Sequence, residues 1–216
     1  MLNSNLQRVG LVVFWMLTTA IAGMAVALTV PLAYLTSLEQ YLAGSAPWTA
    51  ALAAPLAGAL GGGSAGLLQW LVLRRILAQA HGWVLASILG WAAGLTVGIF
   101  MFLWLIPDGL NIFVLLIPAG AAGIIVASTQ WRVLRSQVSG MGWWLAAGAT
   151  GWMLALIVSL GISGGNQQVL TSNSGLFILG PGALFGAVVG FQSGFALVVL
   201  LSYAFQVEEG TQHIND

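Results

Sequence analysis

Three glutamines stand inside apolar stretches of this chain: Gln69, Gln130 and Gln192. An amide carries two donors and an acceptor. In a lipid-like setting it must bond to another helix or coordinate something polar, such as water, a small solute or a cofactor. Gln69 and Gln130 each stand five residues before an arginine, Arg74 and Arg135. The helical rise therefore puts them about 7.5 Å inside a charged boundary. Two roles fit: interhelical hydrogen bonding, the commoner one, and a polar ring on a shared axis. Gln192 fits the ring less well, because it follows Gly190 by two residues where Gln69 follows Gly66 by three. Trp91 and Trp152 come next. Each lies eight residues beyond another tryptophan, Trp83 or Trp144, about 12 Å deeper along a helix. An indole N–H at that depth calls for an acceptor, and Gln69 and Gln130 are the nearest candidates in a hairpin.

Other chemistry finds little support. No Asp, Glu, Lys, Arg or His lies mid-way along an apolar stretch, which disfavours proton relays and ion-coupled transport. His81 and His213 have no second ligand at metal spacing, so each reads as a solvated residue ahead of a metal, haem or pigment ligand. No metal and no cofactor is expected. The absence of cysteine removes disulfides and thiolate sites. Gly161-Ile162-Ser163-Gly164 resembles the GxSG of rhomboid intramembrane proteases. That serine requires a histidine base within hydrogen-bond reach, and the expected topology puts both histidines at the opposite face. The protease reading is rejected. The uncharged segment 164–174 is expected to be a surface or re-entrant loop.

The elements that must position these residues follow from composition. Of 216 residues, 59% are hydrophobic and 5% charged, with a formal net charge of zero. A soluble domain carries roughly a quarter charged residues; a soluble enzyme, a nucleic-acid binder and a disordered chain are all excluded. A helix crosses the hydrocarbon core with about 20 apolar residues, and six stretches qualify: 9–35, 48–73, 83–105, 111–134, 143–162 and 176–205. The expected fold is an all-α integral membrane six-helix bundle, one transmembrane domain over 1–216 with a short polar tail at 206–216. The first stretch, with an apolar run of about 26 residues, exceeds the 7–15 of a secretory signal and is expected to be retained.

The arginines orient the bundle. Arg8 precedes the first span, Arg74 and Arg75 follow the second, and Arg132 and Arg135 close the fourth. All five fall at one face, so both termini are expected in the cytoplasm. Arg74, Arg75, Arg132 and Arg135 are expected to anchor helices at lipid headgroups. Trp70, Trp83, Trp131, Trp143 and Trp144 near that face, with Trp48 and Trp104 near the other, read as interfacial belts.

An internal repeat is present. Gln69–Arg74 (QWLVLR) is echoed by Gln130–Arg135 (QWRVLR), an offset of 61 that also carries Gly62 onto Gly123, Trp83 onto Trp144, Gly90 onto Gly151 and Trp91 onto Trp152. Spans two–three and four–five thus match as one helical hairpin repeated. A fainter third copy would join span six to span one. Pro55, Pro118 and Pro181 are spaced by 63 and 63, and Trp15–Thr19 loosely matches Trp83–Ser87. Small residues recur every fourth position: Gly58, Gly62 and Gly66; Gly90, Gly94 and Gly98; Gly182, Gly186, Gly190 and Gly194. Such rows let helix backbones approach closely in lipid. Packing within the monomer is the leading use, with dimerisation or partner docking the alternative. The three prolines bend their helices, which serves packing or, alternatively, opens a vestibule.

With QWLVLRR followed by GWVLASILGWAAG, the chain resembles a group of uncharacterised multi-pass membrane proteins of cyanobacterial type, and similar helices look like the membrane halves of some bacterial serine/threonine kinases. The likeness covers spans two to five. It implies a bacterial plasma or thylakoid membrane and supplies no functional residues. The expected role is a non-enzymatic scaffold, assembly factor or accessory subunit. Its expected partners are membrane lipids and other membrane subunits or a second copy, with no nucleic acid. Two alternatives stay open: a small-solute channel with a Gln-lined axis, and a binding protein for a lipid, quinone or pigment.

Overall fold

A lipid-embedded backbone must satisfy its own hydrogen bonds, and the described residues meet this with helices. The computed structural model describes residues 5–42, 48–77, 79–105, 112–162 and 175–212. Among these are six helices and no strand: α1 (Asn5–Leu42), α2 (Trp48–Leu73), α3 (Trp83–Leu105), α4 (Ile112–Leu134), α5 (Met141–Ile162) and α6 (Gly175–Gln212). Each contains a segment long and apolar enough to cross a membrane. The chain is an all-helical, multi-pass membrane protein. α2 and α3 have the bounds expected from sequence. α1 and α6 run beyond their apolar stretches at 38 residues each, and α6 continues through most of the polar stretch expected as a tail. The GxSG serine and the 164–174 loop lie outside the described residues.

The helices form a closed ring in chain order. Each packs on its two sequence neighbours, and α6 closes against α1. At the arginine end the α2–α3 and α4–α5 turns touch, with the Gln79 backbone N–H donating to Gln137 Oε1 at 3.4 Å. Gly140 adopts a positive φ of 108° to start α5, a conformation open to glycine and strained for other residues.

The glycine rows are all covered from within the chain. A Cβ on Gly58 or Gly62 would strike the backbone carbonyls of Trp91 or Ser87 on α3. Gly94 and Gly98 face the Ala122 and Pro118 carbonyls of α4 at 2.9 and 3.3 Å from where a Cβ would stand. Gly90 lies against Thr129 of the same helix. On α6, Gly182, Gly186, Gly190 and Gly194 meet α1 at Gly23, Thr19, Met16 and Trp15. Hydrophobic burial does not drive helices together in lipid, so this close backbone approach carries the packing.

The prolines take part in the same contacts. Pro118 is buried beneath Gly98, and the Ser159 hydroxyl donates to the Pro181 carbonyl at 3.3 Å.

Candidate functional site

The interior is built in layers, starting from the arginine end. Leu73, Leu134 and Leu197 are fully buried there, one each from α2, α4 and α6, with Leu77, Val138 and Leu201 beside them. Next come three tryptophans. Trp15, Trp83 and Trp144, from α1, α3 and α5, are 1%, 0% and 2% exposed. Trp83 sits between the other two, edge-to-face at centroid distances of 5.6 Å to Trp15 and 6.2 Å to Trp144.

This corrects the sequence reading for Trp83 and Trp144, and for Trp131, which is buried in the same core; the sequence places all three at the headgroup belt. Their position in the chain is near the arginines, yet each helix turns that face inward. The glycine contacts at Gly62 and Gly123 draw α3 and α5 against α2 and α4 and bring the indoles to the axis. Trp143 and Trp104, at 76% and 78% exposed, do face outward, and Trp70 lies half-buried under the Arg74 guanidinium, 4.9 Å from its ring centroid.

Beyond the tryptophans lies a polar layer. The Trp83 indole N–H donates to Gln69 Oε1 at 3.1 Å. The Gln69 amide donates onward to Thr19 Oγ1 at 3.0 Å, and the Thr19 hydroxyl donates to the Trp15 carbonyl at 2.8 Å. One chain of bonds thus ties α3 to α2 to α1. Its counterpart starts at Gln130, whose amide donates to Ser87 Oγ at 3.2 Å and ties α4 to α3. Both glutamines therefore bond between helices. The indole partner differs from expectation, being Trp83 in place of Trp91.

Trp91 and Trp152 make the third layer, packed at a centroid distance of 5.3 Å with their ring planes tilted by 60°, and continued by Phe185 of α6, which meets Trp152 edge-on at 5.3 Å. Phe185 was not singled out from sequence. The signal for it is Gly23: α1 has no tryptophan eight residues after Trp15, and an aromatic from α6 completes the layer.

Gln192 stands apart. Its amide donates to Thr150 Oγ1 on α5. Contacts show why. Gly66 meets the Ser87 Cβ and Gly190 meets the Thr19 Cβ, so the residue placed on α6 as Gln69 is on α2 is Ser193, three after the glycine. Gln192 is one residue earlier, a rotation of about 100°. The three glutamines do not form a ring.

Between the two aromatic layers is a cavity of about 30 Å³, lined by residues of all six helices including Thr19, Gln69, Gln130, Trp144 and Ser193. Trp144 Nε1 is buried and has no hydrogen-bond partner among the described residues.

The remaining candidates sit at the periphery. Arg74, Arg75, Arg132 and Arg135 are exposed, and Arg132 falls in the last turn of α4, where a cation complements the helix dipole. His81 is exposed in the α2–α3 turn, at the end of the bundle opposite Gly161 and about 30 Å away along α5. Among the described residues no group of three His, Cys, Asp or Glu could hold a metal ion. The chain matches no family model, no curated protein and no solved structure.

Proposed function

We propose that this chain is a non-catalytic membrane scaffold or accessory subunit, built as three helical hairpins (α2–α3, α4–α5 and α6–α1) about a closed axis. The single observation that carries the reading is the plugged interior. Trp15, Trp83 and Trp144 fill the axis, and Gln69 and Gln130 are engaged with neighbouring helices. A solute path along the axis would have to displace the tryptophans. The axial cavity, at about 30 Å³, is near the size of one or two waters and far below that of a quinone or pigment. Polar and aromatic side chains here hold helices to one another, which is what a rigid docking body requires.

The threefold reading draws support from matching contacts. Gly62 meets the Ser87 carbonyl, Gly123 the Gly148 carbonyl and Gly186 the Thr19 carbonyl, one such pair in each hairpin. With its glycine rows consumed inside the monomer, the chain would meet lipid or a partner subunit through the apolar side chains left outside, such as Leu56, Leu60 and Leu67 on α2. The resemblance stated above favours a bacterial plasma or thylakoid membrane, and the arginine bias favours cytoplasmic termini.

The test is native-level tagging followed by mild solubilisation and sizing. A discrete assembly of fixed stoichiometry is expected. A lone monomer at every expression level, together with solute flux through reconstituted vesicles, would overturn the scaffold reading in favour of a facilitator.

A further inference from the structure

We propose that the axial cavity is a binding site for ordered water, in which a water molecule bridges the Trp144 indole N–H to Gln130 Oε1. The inference does not depend on what the bundle docks against. It starts from a comparison internal to the chain. Gln69 and Trp83 are 14 residues apart, as are Gln130 and Trp144. The first pair is bonded directly, N–H to Oε1, at 3.1 Å. The second is not, and Trp144 Nε1 is left as a buried donor.

Both members of the second pair line the same cavity. Gln130 spends its amide N–H on Ser87 Oγ, and no described residue donates to its Oε1. An unmet buried donor thus borders the same space as the Gln130 amide oxygen, an acceptor with two lone pairs. An unpaired buried N–H costs about 1–3 kcal/mol, so the site favours any occupant that accepts from Trp144 and donates to Gln130. Water does both.

Size selects water over larger ligands. A cavity needs roughly 10–15 Å³ to hold a water, and about 30 Å³ is present, enough for one or two. Buried waters have two to four polar partners. Besides Trp144 and Gln130, the lining offers Ser193, whose hydroxyl donates to the Val189 carbonyl at 2.8 Å and keeps its lone pairs as acceptors, and Thr19. The set carries no formal charge, which suits a neutral occupant over an ion.

The residues at the matching positions explain why the hairpins differ. Gln69 and Gln130 each give their amide to the preceding helix, to Thr19 and Ser87, so the difference lies within the hairpins, where the first has Ser87 on α3. In the second hairpin a glycine, Gly148, stands 61 residues after Ser87 and lines the cavity. Loss of that side chain opens the space the water takes.

The experiment is water-to-indole magnetisation transfer on the intact protein, labelled with 15N at tryptophan side chains and held in lipid nanodiscs. A cross-peak between the Trp144 indole proton and water is expected, with none at Trp83, whose N–H is bonded to Gln69. Gln130→Leu should abolish the Trp144 cross-peak. Should that variant fail to fold, the wild-type contrast between Trp144 and Trp83 still decides. A map at about 2 Å resolution gives a second readout, with a peak expected within hydrogen-bond distance of both Trp144 Nε1 and Gln130 Oε1. A direct Trp144–Gln130 bond, a Trp144 indole silent to water, or density for a larger molecule in the cavity would each overturn the proposal.

Discussion

The Trp83 indole nitrogen lies 3.1 Å from Gln69 Oε1, and through this bond the most buried aromatic of α3 is tied to the one amide of α2. Gln69 then passes its own N–H to Thr19 of α1. Three helices are therefore coupled by two side-chain bonds at one depth. Individual interhelical hydrogen bonds in membranes average about 0.6 kcal/mol and reach about 1.7. Their weight comes from being connected: removing the middle member strands both neighbours.

Gln69→Leu should therefore cost more stability than Thr19→Val, because it unpairs the Trp83 N–H as well as the Thr19 bond. The unpaired indole alone accounts for about 1–3 kcal/mol. The combination Gln69→Leu with Trp83→Phe should be less damaging than the sum of the two single changes, since residues in one network do not add. Denaturant titration in mixed micelles, read by helicity, checks both orderings.

The glycine contacts predict a sharp positional contrast. Gly62→Ala and Gly186→Ala would drive a methyl into the carbonyls of Ser87 and Thr19. Backbone cannot step aside as a flexible side chain can, so each should cost about 1–3 kcal/mol, toward the upper end. Gly142 has nothing within 4 Å of its Cβ position, and Gly142→Ala should be neutral or gain a few tenths of a kcal/mol from better helix propensity. Melting temperatures of the three purified variants test this, and equal losses at all three sites would contradict the packing account.

Helices were easier to read from the sequence than the faces they turn inward. Apolar length and the arginine positions suffice for α2 and α3, whose expected and observed bounds coincide. The two glutamines were identifiable as interhelical partners because an amide in an apolar stretch has few other options. The sequence puts Trp83 at the belt because depth along the chain, near Arg74 and Arg75, says nothing about rotation about the helix axis. That rotation is fixed by Gly62 and Gly66 seating on Ser87, a pairwise fact between two helices. Gln192 shows the same limit: a one-residue step, invisible in a spacing of 62 from Gln130, turns it away from the axis to Thr150. Phe185 shows it again, since it stands in for a tryptophan that α1 lacks.

The arginine bias leads to a topology prediction. Arg74 and Arg75 follow α2, and Arg132 and Arg135 lie at the end of α4. Reporter fusions at residue 1 and residue 216 should both report the cytoplasm, and one inserted between residues 163 and 174 should report the other side. Moving four arginine-equivalents of charge, by Arg74→Gln, Arg75→Gln, Arg132→Gln and Arg135→Gln together, should weaken the bias and yield mixed orientations, because Arg and Lys near span ends set orientation.

Accessibility along the axis separates a dry plug from a wet path. The chain has no cysteine, so single-Cys variants need no background changes. Thiols react with charged reagents as thiolates, which form only where water reaches. Ser136→Cys, exposed in the α4–α5 turn, should label at once. Leu73→Cys and Leu197→Cys, fully buried beneath the turns, should stay unlabelled in folded protein and label only after denaturation. Ser193→Cys is the decisive position. It lies beyond the Trp15, Trp83 and Trp144 layer and lines the cavity, so a bridging water can sit beside it while a bulky reagent cannot reach it. Protection at 193 is expected with both tested reagents, one charged and one neutral. Labelling from the arginine side would mean that the tryptophan layer opens, and the closed-axis account would fail with it.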